Sequence, residues 1–315
     1  MIKNIKIGTR GSRLALYQAN KTKNEILKHF PSLNAEIIVI RSKGDMILDT
    51  SLSKIGDKGL FTKELEEALL RKEIDIAVHS LKDLPTILPE NLEISAVLKR
   101  GEVRDALVSI KDITVEDLKH KKITVATSSL RRRAQLLLLN PDLNIVDIRG
   151  NVDTRLRKLE EGCCDAVIMA ATGLQRLNLD SYIKEIIDPS VIIPAVSQGA
   201  IAVESVKNND EIKEIIAKIN HETTQKITAA ERIFLGKLEG GCQIPIACRT
   251  VINNDEFTMF GFMSFPDGTK SIKSEISGKL SEINQGAEKL ADYFISKNSF
   301  ALLEEIRNFN NSQNI

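Results

Sequence analysis

The sequence has few of the residues that form aromatic surfaces or metal clusters. Its 315 residues include no tryptophan, four histidines and four cysteines, and aromatic residues make up 4% of the chain. Nucleic acid bases stack on aromatic side chains, and non-specific binding to nucleic acid needs a strong positive charge. The formal net charge of this chain is only +1. The composition therefore argues against a nucleic-acid partner, and any anion site must come from local clusters of arginine.

Long apolar segments are also absent. The N-terminal residues MIKNIKIGTR contain no apolar core long enough for a secretory signal. The longest uncharged run, residues 189–203, contains two prolines and is shorter than the roughly 20 apolar residues of a membrane-spanning helix. We therefore expect a cytoplasmic protein without a membrane partner.

The cysteines do not have the spacing of a zinc site. Cys163 and Cys164 are adjacent, and no CxxC or neighbouring histidine pair completes a chelate, so we expect no metal. Disulfides are disfavoured in a reducing cytoplasm, which leaves single thiols. Cys242, in the stretch LEGGCQIP, follows two glycines that allow a bulky group to approach the backbone beside the sulfur. A buried, inert thiol is the alternative.

Strand and helix patterns alternate over the first two thirds of the chain, which predicts an α/β fold with parallel sheets. Ligands in such sheets bind beyond the carboxyl ends of the strands. The last third differs, with a long helix followed by strand and helix patterns, and predicts a small α+β domain. The strand patterns lie at 4–8, 35–41, 74–79, 123–127, 144–148, 165–170, 256–263 and 270–277. The helix patterns lie at 14–30, 61–72, from about 129, and at 152–160, 222–238, 281–297 and 299–307.

Arginines and hydroxyl residues recur where a predicted strand ends and a helix begins. The free N–H groups of a helix start and the guanidinium fork both suit a carboxylate or phosphate. A helix cap with a solvated arginine is the alternative at each place, but three equivalent places favour anion binding. Successive helical residues turn by about 100°, so we assign Arg131 and Arg132 to the ligand and Arg133 to the surface. The three places are Arg10 with Ser12, Thr127–Ser129 with the arginines that follow, and Arg149 with Arg155.

Two further segments have a composition that suits a ligand site. Lys82 and Asp83 follow a strand pattern and can place a carboxylate in a cleft, although a turn before Leu84-Pro85 is an equal alternative. Residues 41–59 are long, polar and rich in glycine, as lids and binding loops often are. His79 ends a buried strand pattern, and we interpret it as structural.

The sequence resembles the porphobilinogen deaminase family, also called the hydroxymethylbilane synthase family. The matching motifs run in family order over nearly the whole chain, and several are long and unusual. Ser197 stands where the family commonly has glycine. The motifs are TRGSRLALYQA, GDMILDTSLSKIGDKGLFTKELEEALL, DIAVHSLKDLP, RDALVS, TSSLRRRAQL, IRGNVDTRLRKLEEG, PAVSQGAIAVE and LEGGCQIPIA.

The resemblance implies an α/β fold of two lobes like type 2 periplasmic binding proteins, with parallel-rich sheets, plus a small C-terminal α+β domain. Residues 1–99 with 198–219 are expected to form the first domain, which carries the lid loop 42–60 and the catalytic Asp83. Residues 100–197 are expected to form the second domain, with the arginine-rich anion sites. Residues 220–315 are expected to form the third, with the cysteine that carries the cofactor.

The resemblance also implies the reaction. Such a transferase joins four porphobilinogen molecules head to tail, with loss of ammonia, and releases hydroxymethylbilane for the biosynthesis of haem and other tetrapyrroles. The chain grows on a dipyrromethane primer covalently attached through Cys242, and the enzyme is a monomer. The implied binding residues are Arg10, Ser12, Gln18, Lys58, Phe61, Ser80, Lys82, Thr127, Ser128, Ser129, Arg131, Arg132, Arg149, Arg155, Arg176 and Gln198.

Two other functions remain open on the residues alone. A non-catalytic anion-binding module with the same two lobes would explain the arginines and the parallel sheets, but not the EGGC motif, the Lys82-Asp83 pair and the third domain together. An enzyme that uses a free Cys242 as its nucleophile is the other alternative.

Overall fold

The computed structural model describes residues 2–42, 44, 59, 61–238 and 244–312. The described residues form two compact units. The first lies within Met1–Leu48, Asp57–Gly101 and Gly199–Lys226, and the second lies within Glu102–Gln198 and Ile227–Ile315. The division into three domains stays a prediction. No helix in the described ranges is long and apolar enough to cross a membrane.

The elements follow the alternation that the sequence predicts. The strands are β1 (Asn4–Thr9), β2 (Asn34–Val39), β3 (Ile76–Ser80), β4 (Leu92–Val97), β5 (Asp105–Val108), β6 (Thr124–Ala126), β7 (Asn144–Val146), β8 (Ala166–Ala170), β9 (Ile183–Ile186), β10 (Ile201–Val206), β11 (Ile246–Asn253), β12 (Glu256–Met263) and β13 (Ile272–Lys279). The helices are α1 (Arg13–His29), α2 (Lys63–Leu70), α3 (Val115–His120), α4 (Leu130–Leu139), α5 (Val152–Glu160), α6 (Ala171–Gln175), α7 (Asp210–Ala217), α8 (Glu222–Lys237), α9 (Ile283–Ser296) and α10 (Ser299–Ser312).

The first unit contains a five-stranded sheet in the order β2-β1-β3-β10-β4. β1 is parallel to β2 and β3, whereas β10 is antiparallel to β3 and β4. The first four residues of β3 are buried, as is typical of a parallel strand covered on both faces. Because β1 and β3 are parallel, the residues that follow them begin at the same edge of the sheet. Arg10 and the Leu81–Asp83 segment therefore start from one edge.

The second unit contains a sheet of the same plan, in the order β7-β6-β8-β5-β9. β6 is parallel to β7 and β8, and β5 is antiparallel to β8 and β9. Two apolar clusters cover this sheet, one around Leu156 and Val167 and the other around Leu136 and Ile168. The loops after β6 and β7, which carry the predicted anion sites, leave from one edge.

A second sheet of this unit, β11-β12-β13, is antiparallel and has its own core. Phe234 of α8 packs edge-to-face against Phe294 of α9, with ring centroids 5.2 Å apart. Leu238 and Ile244, the nearest described residues on either side of residues 239–243, are both buried in this core. The backbone is therefore anchored immediately before and after the segment that contains Cys242.

The predicted fold class is confirmed, because the chain has a mixed α/β fold with two parallel-rich sheets and a small C-terminal sheet with helices. The sequence patterns did not reveal β4, β5, β9, β10 or β11. β5 and β9 have four residues each, too few for a clear period, and β10 finds its partners only after the chain has returned from the second sheet. Such pairings depend on contacts between residues far apart in the sequence.

Candidate functional site

The turn after β1 holds three of the predicted residues close together. Ser12 caps α1, and its Oγ accepts a hydrogen bond from the N–H of Ala15 at 3.3 Å. The Cζ atom of Arg10 lies 4.2 Å from the centroid of the Phe61 ring, within the range of a cation–π interaction. A Cβ atom at Gly44 would lie 2.3 Å from Cε1 of Phe61, so only glycine allows this backbone to approach the ring. The helix-cap alternative therefore applies to Ser12, while the Arg10 guanidinium lies over the Phe61 ring.

The segment after β3 presents Asp83 to solvent from a firmly held backbone. Leu81 is 1% exposed, and its N–H donates to the carbonyl of Ala200 at 3.0 Å. The next two residues complete a single 3₁₀ turn, in which Lys82 is half-buried and Asp83 is exposed. Gln18 lies beside this turn, where its Nε2 donates to Oγ of Ser80 at 2.8 Å. The structure thus joins Gln18 and Ser80 directly and leaves the carboxylate of Asp83 accessible.

His79 belongs to a buried charged cluster that the sequence patterns did not reveal. Nε2 of His79 lies 3.0 Å from Oε2 of Glu204, and both side chains are almost fully buried. This contact has the distance of an ion pair but not the geometry of a hydrogen bond. Glu66 of α2 faces the same cluster, and burial raises the pKa of its carboxyl, with a further rise from the charge of Glu204.

Two of the predicted site residues, Lys58 and Cys242, lie outside the described residues. Most of the predicted lid loop 42–60 also lies outside them. The roles of these residues stay predictions.

In the second unit, the residues after β6 are tied to the neighbouring loop. Oγ of Ser128 donates to the carbonyl of Ile148 at 2.7 Å and accepts from its N–H at 3.1 Å. Oγ1 of Thr127 accepts from the N–H of Ser129 at 3.2 Å. Ser129 is the N-terminal cap residue of α4, but its side chain makes no capping hydrogen bond. Through these hydrogen bonds, Thr127 and Ser128 stabilise the conformation of the loop.

Arg149 and Arg155 lie on either side of a turn that requires glycine. Gly150 has a φ of +111°, and a Cβ there would lie 2.5 Å from Cγ2 of Thr154. Nε of Arg155 donates to the carbonyl of Gly150 at 2.9 Å. Burial lowers the pKa of Arg149, because its positive charge is partly removed from water. Arg176, half-buried, follows α6.

The guanidinium groups of Arg131 and Arg132 are buried against Asp105, which is the first residue of β5. Nη1 of Arg131 lies 2.7 Å from Oδ2 of Asp105, and Nη2 of Arg132 lies 2.7 Å from Oδ1. Each arginine is 5% exposed, and the carboxylate is fully buried. Burial alone would raise the pKa of Asp105, but the two guanidinium charges hold it well below its ordinary value. Gln198, also fully buried, donates from Nε2 to Oδ1 of Asp105 at 2.9 Å.

Two guanidinium nitrogens are buried without a hydrogen-bond partner in the part of the chain that the structure describes. They are Nε of Arg132 and Nη1 of Arg149. A buried donor without an acceptor costs free energy, which a carboxylate oxygen of a ligand would recover. Each of these two donors therefore suits a carboxylate oxygen of a ligand.

Arg131→Leu should lower the free energy of unfolding and should also weaken ligand binding. The substitution leaves the buried carboxylate of Asp105 paired with Arg132 alone. Removing one partner of a buried ion pair typically costs about 3–5 kcal/mol. Arg133, which is only half-buried, is the matched control, and Arg133→Leu should cost less than about 1 kcal/mol. Urea denaturation followed by circular dichroism measures both. Equal losses in the two variants would contradict the assignment of the buried ion pairs.

Asp105 and Glu231 are the site residues that sequence reasoning missed. Asp105 stands in the motif RDALVS, where an acidic residue begins an otherwise apolar strand, and this was the available signal. Glu231 is fully buried in α8 and accepts from the N–H groups of Ser197 at 2.8 Å and Thr250 at 3.0 Å. Its position on a helix face has no distinguishing local pattern.

Ser197 adopts a backbone conformation that favours glycine, with a φ of +60°. Its Oγ is buried and has no hydrogen-bond partner among the described residues. The glycine that the resemblance leads one to expect here would avoid both costs.

Ser197→Gly should therefore increase the free energy of unfolding by about 1 kcal/mol. The left-handed conformation costs a residue with a Cβ about 1–2 kcal/mol, which exceeds the roughly 0.5–1 kcal/mol of extra backbone entropy that glycine loses. Ser197→Ala is the control, since it removes the hydroxyl but keeps the strain, and it should stabilise less than glycine. Thermal unfolding of the three proteins ranks them. A lower melting temperature for Ser197→Gly than for the unmodified chain would contradict the strain argument.

Comparison with known proteins identifies close similarity over nearly the whole chain. The family pattern "Porphobilinogen deaminase, dipyromethane cofactor binding domain" matches residues 5–214, and "Porphobilinogen deaminase, C-terminal domain" matches residues 224–293. A porphobilinogen deaminase of Trichlorobacter lovleyi is 44% identical over 304 residues, which cover 96% of this chain and 97% of that protein. One of Chloroherpeton thalassium is 45% identical over 314 residues, which cover 98% and 100%.

Solved structures with lower similarity align with the chain as well. The periplasmic VFT2 domain of Bordetella pertussis BvgS is 15% identical, with a TM-score of 0.42, over 73% of this chain and 90% of that one. The methionine binding protein MetQ is 13% identical, with a TM-score of 0.43, over 73% and 93%. The family of the chain is shown by the matched family patterns and by the relatives that are 44% and 45% identical, and not by these solved structures.

Proposed function

Because the chain belongs to the porphobilinogen deaminase family, we propose that it is the transferase that builds hydroxymethylbilane from porphobilinogen. It joins four substrate molecules head to tail, and each loses ammonia as its methylene carbon forms a bond to the preceding pyrrole ring. The observation that carries this proposal is the match of both family patterns, in order, over most of the chain.

A dipyrromethane group, covalently linked to Sγ of Cys242, would supply the terminal pyrrole ring to which the first substrate is joined. The buried, unpartnered nitrogens of Arg132 and Arg149 support a polycarboxylate at this site. Arg131, Arg155 and Arg176 supply further cationic donors. Ser129 supplies a hydroxyl that does not cap its helix, whereas Thr127 and Ser128 act by holding the loop in shape.

The first unit would bind the acetate and propionate groups of the incoming substrate. Arg10 and Lys82 supply positive charge near the ends of β1 and β3. The hydrogen bond from Gln18 orients Ser80, which precedes Lys82 by two residues. The Phe61 ring contacts the Arg10 guanidinium and would hold it in place. Lys58, which lies outside the described residues, would bind the substrate as a further cation.

Asp83 would perform the proton transfers. Its carboxylate accepts a hydrogen bond from the departing ammonium group and stabilises the positive charge that develops on the substrate pyrrole. The carboxylate then takes up the proton that the attacked ring releases. Exposure of Asp83 on a firmly held turn supports this role, because a substrate can reach the side chain without a change of the backbone.

We also propose that the protein is a cytoplasmic monomer. It acts on a small molecule and has no nucleic-acid or membrane partner. Hydroxymethylbilane is a precursor of tetrapyrroles, so the enzyme would serve haem or related biosynthesis.

Incubation of the purified protein with porphobilinogen tests the function. Release of ammonia and hydroxymethylbilane in a ratio of four to one is the expected result. A protein that binds porphobilinogen but releases neither product would instead be a non-catalytic anion-binding module. Intact mass adds a second measurement, because a stable adduct favours the transferase over both that module and an enzyme with a free Cys242 nucleophile.

A further inference from the structure

We propose that Asp105 is a positioning residue that holds Arg131, Arg132 and Gln198 in the arrangement that binds the carboxylates of the dipyrromethane primer. This inference rests on the proposed function and assigns a role to a residue that contacts the ligand only through its partners.

The two carboxylate oxygens of Asp105 receive hydrogen bonds from three side chains, at 2.7 Å from Arg131, 2.7 Å from Arg132 and 2.9 Å from Gln198. Arg131 and Arg132 lie in the first turn of α4, whereas Gln198 lies beyond the last strand of this sheet. One short, fully buried side chain therefore sets the positions of donors from two distant segments.

Two guanidinium cations and one carboxylate leave this buried cluster with one excess positive charge. Burial lowers the pKa of Arg131 most strongly, the charge of Asp105 raises it, and the adjacent charge of Arg132 lowers it again, so that the net shift is downward. Asp105 thus makes two neighbouring buried cations tolerable, and the charge that remains attracts an anion.

Arg131 uses Nη1 for Asp105 and for the carbonyl of Ile193 at 2.7 Å. Arg132 uses Nη2 for Asp105 and Nη1 for the carbonyl of Ile168 at 3.0 Å, while its Nε is buried without a partner in the described chain. The protein contacts therefore fix the plane of the Arg132 guanidinium and leave a donor for a ligand.

Gln198 and its neighbour Ser197 make further hydrogen bonds besides the one to Asp105. Its Nε2 also donates to the carbonyl of Val103 at 2.7 Å. The N–H of the preceding residue, Ser197, donates to the buried carboxylate of Glu231 at 2.8 Å. These hydrogen bonds fix the backbone and the side chain of Gln198, which stabilises the position of its hydrogen bond to Asp105.

Asp105→Asn tests the proposal, with Asp142→Asn as the matched control at an exposed aspartate of the same unit. Folded protein is isolated by size exclusion, the fraction of chains with the primer is measured by intact mass, and kcat is measured per loaded chain. Loss of a charge-assisted hydrogen bond predicts a loaded fraction at least about tenfold lower in Asp105→Asn, with kcat per loaded chain changed less than about threefold. Asp142→Asn should match the unmodified chain.

Asp105→Glu keeps the charge and makes the test decisive if Asp105→Asn does not fold. The longer side chain displaces the carboxylate, so the loaded fraction of Asp105→Glu should lie below that of the unmodified chain. Full loading of folded Asp105→Asn or of Asp105→Glu, with only a lower melting temperature, would overturn the positioning role and leave Asp105 purely structural. An unmodified chain without an adduct and without hydroxymethylbilane synthesis would instead contradict the proposed function itself.

Discussion

Cys242→Ala should purify without a covalently attached dipyrromethane and should have no measurable transferase activity. A thioether to a pyrrole methylene needs sulfur as the attacking atom, and alanine has none. Cys242→Ser should carry little or no primer, because a hydroxyl without an adjacent base is a far weaker nucleophile than a thiolate. Both variants should also unfold at a lower temperature than the loaded protein, since a ligand bound only to the folded state stabilises it.

Intact mass before and after denaturation measures the attachment, because a covalent group survives unfolding and a bound ligand does not. Cys163→Ser is the matched control, since Cys163 is an exposed free thiol and should leave the adduct in place. Cys164 and Cys248 are buried free thiols, and their serine variants should also retain it, although burial of a hydroxyl lowers their stability. An adduct that persisted in Cys242→Ala, or that peptide digestion mapped to another cysteine, would contradict the assignment of Cys242.

Asp83→Asn should lower kcat by about 10²–10⁴-fold, the usual contribution of a positioned acid–base group, and leave the fold and the primer intact. The amide keeps the shape of the side chain but cannot transfer the proton or offset the positive charge on the substrate. Because Asp83 is exposed and its turn is anchored by buried Leu81, the substitution should not alter the backbone.

Single-turnover kinetics and intact mass together test this expectation. Asp210→Asn, at an exposed aspartate of the same unit, should keep normal kcat and full loading. Near-normal turnover of Asp83→Asn would remove Asp83 from the proton transfers. Loss of the primer in this variant would show that Asp83 acts in cofactor binding instead.

Local patterns predicted long helices, in which apolar residues recur over many turns, and strands that contain consecutive apolar residues. The long helix α1 (Arg13–His29) lies within one residue of its predicted bounds. β3 (Ile76–Ser80) lies within two residues of the predicted strand 74–79, and its first four residues are buried. These elements depend mainly on residues close together in the chain. The antiparallel strands β5 and β10 were not predicted, because they are identified only by the partner strand that each one meets.

Local patterns could also indicate which residues carry charge, but not the partners of that charge. Because successive helical residues turn by about 100°, the sequence predicts that Arg131 and Arg132 act together on the ligand and that Arg133 lies at the surface. The structure adds that both are buried on a carboxylate 26 and 27 residues away along the chain. Burial changes the expected effect of their substitution, because an exposed arginine would cost little stability and a buried ion pair costs much.

The sequence by itself determined the family, the alternation of strands and helices, and the motifs that carry Asp83 and Cys242, because each of these is a property of consecutive residues. Only the tertiary structure decided that Asp105 joins Arg131, Arg132 and Gln198, and that Ser197 adopts a φ of +60° with its N–H on Glu231. Burial and ion pairing depend on which segments meet in three dimensions, and chain positions 93 residues apart carry no local signal that they will share one carboxylate.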